Sequence, residues 1–436
     1  MRTGFFPAII LLILSSCSVQ QKISRQARET VLKDPALKAA HIGVSVYDPQ
    51  EGRFLYNYQG DKYFIPASNT KIPTCYAAMK YLGDSLIAAR LQVIKGNLHM
   101  IPGGDPSFLH PDFTYQPLLE KLKPFQHITI ISNWQAKPLG SGWSWNDFNE
   151  NYMAERSALP MYGNLIRFKW KGDTMAIVPR VPIYVHHQLP VLYQEPLSKE
   201  RGFSIERELG SNIFVYQAQK QIPQGDFSIP FATDNRFIEQ LLKDTLQNGE
   251  VQHFYYKTDL THFTALYSQP TDSILKPMMH NSDNFFAEQA LMMVSQEMLG
   301  LMSDAKIIDT ILKTDFADLP QKPRWVDGSG LSRYNLFTPG DMVMILNKMK
   351  NEFGMERIRD VFATGNEGTL FNYYKEAEGS VYAKTGTLSG VVALSGFLYT
   401  RKNKLLLFSV LVNNHQSSAT AIRKVIEKFI LGLRED

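Results

Sequence analysis

The chain has 436 residues, enough for two or three packed units at about 150 residues per domain. Its 44% hydrophobic and 20% charged residues exclude disordered, collagen-like and coiled-coil chains, and a net charge of only +4 disfavours nucleic-acid binding through phosphate contacts. The 2 cysteines, Cys17 and Cys75, are too few for a disulfide framework or a cysteine-based zinc site, and we expect no metal and no cofactor.

The N-terminus has the layout of a secretory signal. Arg2 precedes an apolar run from Phe5 to Leu14 that is too short to span a bilayer. The stretch Leu14-Ser15-Ser16-Cys17 resembles a bacterial lipoprotein signal. We therefore expect residues 1–17 to be a signal peptide ending at the lipobox cysteine, with lipidated Cys17 anchoring the protein to a bacterial membrane, facing the periplasm. An ordinary signal peptide or a short hydrophobic anchor stays open as an alternative.

Alternating apolar residues predict strands at both ends of the mature chain. One hairpin is expected around the turn that separates Ile42, Val44 and Val46 from Phe54, Tyr56 and Tyr58. A second hairpin joins the runs Val391 to Tyr399 and Leu405 to Asn413, and apolar residues at helical spacing from Ile422 to Leu433 predict a final amphipathic helix. The expected fold is α+β, with an antiparallel sheet built from both termini and helices packed on its faces.

The middle of the chain has short alternating segments and many turns. Examples are Leu98 to Ile101, His127 to Ser132, Ile166 to Trp170 and Ile177 to Val181. We interpret residues 89–265 as one or two inserted β-rich domains. Residues 18–88 and 266–436 then form the catalytic domain.

Ser68-Asn69-Thr70-Lys71 opens a segment with helical apolar spacing, at the first turn of a buried helix. Side chains three residues apart share a helical face, so Lys71 can act as the base that takes a proton from the Ser68 hydroxyl. This pattern alone is weak, because the chain contains it twice more, at Ser273 to Lys276 and at Ser303 to Lys306.

Two further motifs follow in the chain. Ser282-Asp283-Asn284 lies just before the apolar segment Phe285 to Val294, and Lys384-Thr385-Gly386 lies on a predicted strand. Together and in this order, the three motifs resemble the set found in penicillin-binding proteins and serine β-lactamases.

The expected chemistry is acyl transfer. Ser68 attacks an amide carbonyl while Lys71 takes its proton, and an acyl-enzyme forms. Ser282 relays a proton to the leaving amine, and Asn284 holds Lys71 and the substrate backbone.

The Lys384 strand is expected to bind substrate. Lys384 attracts a substrate carboxylate and disfavours a charge on Lys71, while the hydroxyls of Thr385 and Thr387 are further donors. Gly386 lets the substrate approach the strand edge closely. The backbone N–H groups of Ser68 and Thr387 are the candidates for the oxyanion hole.

The sequence resembles the low-molecular-mass class C penicillin-binding proteins, the D-alanyl-D-alanine carboxypeptidase/endopeptidase family. Besides the three motifs, the likeness rests on the segments Gly103 to Ser107, Gly142 to Asp147, Asp327 to Arg333 and Gly368 to Leu370. It implies a transpeptidase-like core with insertions, action on the D-Ala-D-Ala end of peptidoglycan stem peptides, and covalent inhibition by β-lactam antibiotics. It also implies that Asp147 faces the side chain of the stem peptide.

Two alternatives stay open. A serine β-lactamase would form the same acyl-enzyme and hydrolyse it quickly, although the long insertion argues against one. A non-catalytic peptidoglycan-binding lipoprotein could keep the fold, although it would have no physical need to retain the full set of Ser68, Lys71, Ser282, Asn284 and Lys384. The balance between carboxypeptidase and endopeptidase activity is not fixed by these residues.

Overall fold

The computed structural model describes residues 19–171, 174–185, 189–191, 203–218, 225–247, 249–254 and 260–435. The predicted signal peptide and Cys17 lie outside these residues. The chain divides into two compact units, as far as it is described. Unit 1 comprises Met1–Tyr76, Lys276–Ser282 and Ile308–Asp436, and unit 2 comprises Ala77–Leu275 and Asp283–Ile307.

The strands and helices alternate along the chain in a mixed order. The strands are β1 (His41–Asp48), β2 (Arg53–Tyr58), β3 (Ser85–Ile94), β4 (Asn97–Pro102), β5 (His127–Ile131), β6 (Leu165–Lys171), β7 (Thr174–Val178), β8 (Ile183–Val185), β9 (Leu189–Val191), β10 (Phe203–Arg207), β11 (Phe214–Ala218), β12 (Phe227–Pro230), β13 (Glu250–Phe254), β14 (Thr264–Pro270), β15 (Val381–Leu388), β16 (Val391–Tyr399) and β17 (Leu405–Asn413). The α-helices are α1 (19–27), α2 (Lys71–Tyr81), α3 (Pro117–Leu122), α4 (Asn235–Leu246), α5 (Asp272–His280), α6 (Asn284–Leu299), α7 (Asp304–Lys313), α8 (Pro339–Val361) and α9 (Ala419–Arg434).

Unit 1 contains a five-stranded antiparallel sheet in the order β15-β16-β17-β1-β2. The pairing of β1 with β17 joins the two ends of the chain, with Val44 opposite Val410. Both predicted hairpins are present, β1 with β2 and β16 with β17. The predicted α+β class, with a sheet assembled from the two termini, is therefore confirmed.

Helices cover both faces of this sheet. On α9 the six apolar residues Ile422, Val425, Ile426, Phe429, Ile430 and Leu433 are all buried, and they share a core with Val44 and Val410 of the sheet. At about 1.5–3 kcal/mol per buried side chain, this stripe contributes on the order of 10 kcal/mol of hydrophobic stabilisation. The start of α8 lies against β1, where Gly43 leaves room for Phe64 and Pro339. In the strand order of this sheet β15 is an edge strand, and it lies beside the turn at residues 67–70.

The described residues of unit 2 form three sheets, of five, three and four strands. Their strand orders are β13-β5-β4-β3-β14, β12-β6-β7 and β10-β11-β8-β9. The segments predicted as strands from Leu98, His127 and Ile166 correspond to β4, β5 and β6. Apolar residues of α3 and α4 pack into one core with these sheets.

Helix α6 of unit 2 is buried almost all round, so its polar side chains need internal partners. The Glu288 carboxylate lies 3.2 Å from the Arg156 guanidinium, which also contacts Asp304 at 2.7 Å. The Gln289 amide donates to the carbonyls of Gly104 and Ser157, each at 2.9 Å. These pairs satisfy polar groups that would otherwise destabilise the core.

The unit boundaries differ from the sequence-based interpretation. The predicted limits at 88/89 and 265/266 fall inside β3 and β14, which pair with each other within unit 2. A hydrogen-bonded strand pair belongs to one sheet, so the division lies outside both strands, after Tyr76 and after Leu275.

Within the described ranges, no helix combines the length and the apolar character needed to cross a bilayer.

Candidate active site

Ser68 lies in a tight turn that leads into a buried helix. The turn Ala67–Thr70 directly precedes α2, and Ser68 is half-exposed while Ala67, Asn69 and Thr70 are buried. Ala67 has a φ of 47°, a left-handed conformation that is uncommon for a residue with a side chain. The turn therefore leaves the Ser68 hydroxyl accessible at the start of α2.

Lys71 is the first residue of α2 and is fully buried. Its ammonium donates to the Ser68 hydroxyl at 3.1 Å and to the backbone carbonyl of Ser329 at 2.7 Å. The two side chains predicted to share a helical face are thus in hydrogen-bond contact. The Ser329 carbonyl holds the Lys71 ammonium beside the hydroxyl, and no sequence motif had pointed to this contact.

The loop that carries Ser329 is organised by the buried carboxylate of Asp327. Oδ1 of Asp327 accepts from the backbone N–H of Gly330 at 2.9 Å and from the side-chain amide of Asn335 at 2.7 Å. Oδ2 accepts from the backbone N–H of Ser332 at 2.7 Å. Three hydrogen bonds to one charged group fix this loop and hence the carbonyl that faces Lys71.

Two glycines allow backbone segments to approach the Ser68 turn. At Gly330, where φ is +87°, a Cβ atom would lie 1.9 Å from the carbonyl oxygen of Ala67. At Gly386 on β15, a Cβ atom would lie 2.7 Å from the carbonyl oxygen of Pro66 and 3.1 Å from the backbone nitrogen of Ser68. A side chain at either position would push its segment away from the turn.

Lys384 lies on β15 and is fully buried. Its ammonium donates to the Ser282 hydroxyl at 2.9 Å and to the carbonyl of Thr385 at 2.8 Å. Its backbone carbonyl accepts from the side-chain amide of Asn69 at 2.8 Å, which ties β15 to the Ser68 turn. Burial, followed by the positive charges of Lys71 and Arg423, holds the pKa of Lys384 well below its ordinary value.

The mutual effect of the two lysines has a chemical consequence. Because both ammonium groups are buried in unit 1 and repel each other, the state in which both carry a proton is disfavoured. A neutral amine beside a serine hydroxyl can accept its proton. The arrangement is therefore suited to activating Ser68.

A cation not singled out in the sequence lies beside the outer part of β15. The Arg423 guanidinium on α9 donates to the Thr387 hydroxyl at 2.7 Å. The hydroxyls of Thr385 and Thr369 are 2.7 Å apart, and Thr369 belongs to the Gly-Thr-Leu segment at residues 368–370. Hydroxyls and a guanidinium along one strand edge are suited to binding a carboxylate.

Asn284 and Asp147 belong to unit 2. The side-chain amide of Asn284 donates to the backbone carbonyl of Tyr152 at 3.0 Å. The Tyr152 hydroxyl hydrogen-bonds the Asp147 carboxylate, and burial, then the Asp147 charge and this hydrogen bond, raise the pKa of Tyr152 to about 12. Both predicted residues therefore contact Tyr152, while the predicted contact of Asn284 with Lys71 stays a prediction.

The middle residue of Ser-Asp-Asn has a structural role. Asp283 is the N-cap of α6, and its carboxylate accepts from the backbone N–H of Phe286 at 2.8 Å. Ser282 just before it has a φ of 62°, another left-handed residue with a side chain. The cap fixes the start of α6 at Asn284. In the part of the chain that is described, no cluster of potential ligands could hold a metal ion.

Residues 24–431 match the D-Ala-D-Ala carboxypeptidase 3 (S13) family. The chain is 26% identical over 448 residues to a D-alanyl-D-alanine carboxypeptidase of Actinomadura sp., covering 91% of this chain and 82% of that protein. It is 24% identical over 424 residues to the D-alanyl-D-alanine carboxypeptidase DacB of Haemophilus influenzae, covering 87% of each chain.

A solved structure has a similar fold. The crystal structure of penicillin binding protein 4 (dacB) from Haemophilus influenzae superposes with a TM-score of 0.69 at 20% identity, covering 94% of this chain and 97% of that one. At this identity, the likeness establishes the fold alone. It agrees with the architecture described above.

Proposed function

Because this chain belongs to the D-Ala-D-Ala carboxypeptidase 3 (S13) family, we propose that it hydrolyses D-alanyl-D-alanine bonds of peptidoglycan stem peptides through an acyl-enzyme on Ser68. The chain is a serine-type carboxypeptidase. The observation that carries the assignment to Ser68 is the 3.1 Å contact between its hydroxyl and the buried Lys71 ammonium. In our proposal the other two Ser-x-x-Lys segments, at Ser273 to Lys276 and at Ser303 to Lys306, take no part in the reaction.

In the first step, Ser68 Oγ forms a bond to the carbonyl carbon of the penultimate D-alanine. Its proton passes to Lys71 Nζ, which reacts as the neutral amine in this proposal. The backbone N–H groups of Ser68 and Thr387 stabilise the oxyanion, each contributing about 3 kcal/mol to lowering the barrier.

The second step breaks the bond between the carbonyl carbon and the leaving nitrogen. Ser282, hydrogen-bonded to Lys384, relays the proton to the nitrogen of the departing D-alanine. Water then attacks the ester carbonyl carbon and gives one proton to Lys71. The bond from that carbon to Ser68 Oγ breaks, the proton returns from Lys71 to Ser68 Oγ, and the shortened stem peptide leaves with a free carboxyl group. Asn284 positions the substrate backbone in this scheme.

Substrate binding relies on the strand edge of β15. Lys384, Thr385 and Thr387 receive the terminal carboxylate, and Gly386 leaves room for the peptide beside the strand. Asp147 faces the side chain of the stem peptide, where its negative charge would favour an amine. A carboxylate next to the scissile bond occurs both in a stem-peptide terminus and in a D,D-cross-link, so the proposal includes endopeptidase activity.

Acylation by a penicillin tests the assignment to Ser68. We expect penicillin G to add its full mass to the intact protein, with peptide mapping that places the adduct on Ser68, and Ser68→Ala to abolish it. Ser273→Ala and Ser303→Ala are matched controls from the other Ser-x-x-Lys segments and should label normally. A label on either control serine would contradict the proposal.

Two further measurements distinguish the alternatives. An adduct that persists for hours favours a penicillin-binding protein, whereas rapid turnover of penicillin would indicate a β-lactamase. Incubation with a mixed muropeptide pool separates loss of terminal D-alanine from loss of cross-linked dimers. A protein that neither labels nor changes the muropeptides would fit the non-catalytic alternative.

We also propose that Cys17 is lipidated and holds the enzyme on a bacterial membrane, facing the periplasm. The support is the Leu-Ser-Ser-Cys segment directly after a short apolar run. Stable anchoring requires more than one acyl chain. Mass spectrometry of the mature N-terminus should find acylated Cys17, and Cys17→Ala should move the protein from the membrane fraction. An unmodified N-terminus at another residue would refute lipidation.

A further inference from the structure

Unit 1 contains an open cleft of ≈ 380 Å³ lined by three arginines. Arg359 comes from the last turn of α8, Arg401 from the turn between β16 and β17, and Arg434 from the end of α9. Ser380 and Asn403 add a hydroxyl and an amide. No acidic residue is among the described residues that line it. We call these residues the arginine cleft.

The cleft has more donor capacity than internal contacts use. The Arg401 guanidinium pairs at 2.6 Å with Glu435, which lies outside the lining, and both side chains are more than half exposed. Arg359 Nε donates to the carbonyl of Met355 at 3.2 Å. Arg434 Nε is buried and has no hydrogen-bond partner among the described residues.

Structural roles account for only part of this arrangement. Arg359 and Arg434 each lie in the last turn of a helix, where a cation complements the helix dipole. Glu435 offsets the charge of Arg401, but the dipole does not explain why the guanidinium groups of Arg359 and Arg434 also converge on this cleft, because like charges repel. An anion in the cleft would offset this repulsion.

Phosphate is the anion that fits these donors. A guanidinium offers parallel N–H groups that match two oxygens of a phosphate, and hydroxyl and amide donors can bind the remaining oxygens. The cleft is open, so a phosphate carried on a larger molecule can reach it.

The location of the cleft favours a lipid headgroup as the source. Helix α1 runs antiparallel to α9, because the Gln26 amide donates to the carbonyl of Phe429 at 2.9 Å while Lys22, one turn earlier, lies near Glu435 at the end of α9. The described chain therefore begins at the end of unit 1 that carries Arg434. Val19, the first described residue, follows Cys17 by two positions.

We propose that the arginine cleft binds the phosphate of an anionic phospholipid headgroup and so orients unit 1 on the membrane. The choice of a membrane lipid rests on the proposed lipidation of Cys17. Cationic side chains near an anionic membrane surface each strengthen binding about 5-fold. Two cleft arginines together then contribute about 25-fold.

Vesicle flotation tests the proposal. The full chain carrying Cys17→Ser, which cannot be acylated at that position, is compared on phosphatidylcholine vesicles with and without phosphatidylglycerol. We expect a preference for the anionic vesicles that Arg401→Gln with Arg434→Gln reduces about 25-fold. Lys95→Gln with Lys123→Gln removes the same charge from exposed positions of unit 2 and should leave most of the preference.

Soluble probes separate the sources of phosphate. Glycerophosphoglycerol should raise the thermal unfolding midpoint of the parent chain and should not raise that of Arg401→Gln with Arg434→Gln. Inorganic phosphate at equal concentration should raise the midpoint of the parent chain less. Equal loss of vesicle binding in both double variants would refute the cleft, as would stabilisation by inorganic phosphate alone.

Penicillin labelling of Ser68 serves as the folding control for every variant. Normal labelling with no cleft-dependent binding would overturn this inference and leave the proposed activity untouched. Loss of labelling in the parent chain would instead count against the proposed activity.

Discussion

Replacing Asp327 by asparagine tests how the Ser329 loop controls the candidate base. In Asp327→Asn, the amide oxygen can still accept from Gly330 and Asn335, but the amide nitrogen then faces the backbone N–H of Ser332, donor against donor. The variant loses one hydrogen bond to a charged group and leaves a buried donor unpaired, because Asp327 is fully buried. The expected loss of unfolding free energy is about 3 kcal/mol.

The same change should slow acylation. Ser329 lies in the loop between Asp327 and the residues whose N–H groups Asp327 accepts from, Gly330 and Ser332. The Ser329 carbonyl, which accepts from Lys71 at 2.7 Å, therefore shifts when these hydrogen bonds loosen. Small misplacements of catalytic groups reduce rates strongly, and we expect penicillin acylation to slow at least about 10-fold. Stopped-flow acylation gives the rate, and thermal unfolding should show a midpoint lower by about 6–12 °C.

Ser329→Ala is the matched control for this prediction. It removes the side chain of Ser329 and keeps the backbone carbonyl, which is the group that contacts Lys71. Its acylation rate should stay within about 3-fold of the parent, a change worth under 1 kcal/mol of barrier. If Ser329→Ala slows acylation as much as Asp327→Asn, or if Asp327→Asn acylates normally, the assigned role of the carbonyl is wrong.

Three further predictions concern charged side chains. Burial and neighbouring cations hold the pKa of Lys384 well below 10.5. At pH values between this lowered pKa and 10.5, the unfolded chain therefore carries a proton on Lys384 that the folded chain lacks. Urea unfolding should show stability rising with pH in that window, and Lys384→Met should flatten the rise; an unchanged slope would contradict the lowered pKa. Arg423→Ala removes the donor to Thr387 and should raise KM for a D-Ala-D-Ala peptide about 5- to 10-fold, with partial rescue by Arg423→Lys. Equal KM values for parent and variant would exclude a role in binding the carboxylate. Arg156→Met removes the cation that contacts the buried Glu288 carboxylate and should lower the free energy of unfolding by about 3–5 kcal/mol; a loss below about 1 kcal/mol in thermal unfolding would contradict a stabilising role for this pair.

Local sequence patterns determined the main strands and helices of unit 1 and the motifs of the candidate active site. The alternation around Val44 and in the runs from Val391 and Leu405 predicted both hairpins, because a strand exposes alternate residues to opposite faces. The spacing from Ile422 to Leu433 predicted α9 for the corresponding reason in a helix. The three motifs identified the family, since each is a short contiguous segment whose residue types are visible without the fold.

Tertiary structure decided the contacts between segments distant in sequence. The carbonyl that faces Lys71 belongs to Ser329, and a backbone atom carries no residue-type signal. Arg423 belongs to none of the motifs, and only the packing of α9 brings its guanidinium to the Thr387 hydroxyl. Asp283 is a helix cap, although its motif suggested chemistry.

The division into units also depended on the fold. Strands β3 and β14 are joined by hydrogen bonds between residues more than a hundred positions apart in the sequence. The residues of either segment do not indicate which strand it pairs with. Helical and strand periodicity is written into neighbouring residues, so the sequence alone determined the elements and the motif chemistry. Pairing, burial of charge and the approach of backbone groups depend on how the whole chain packs, and only the structure decided them.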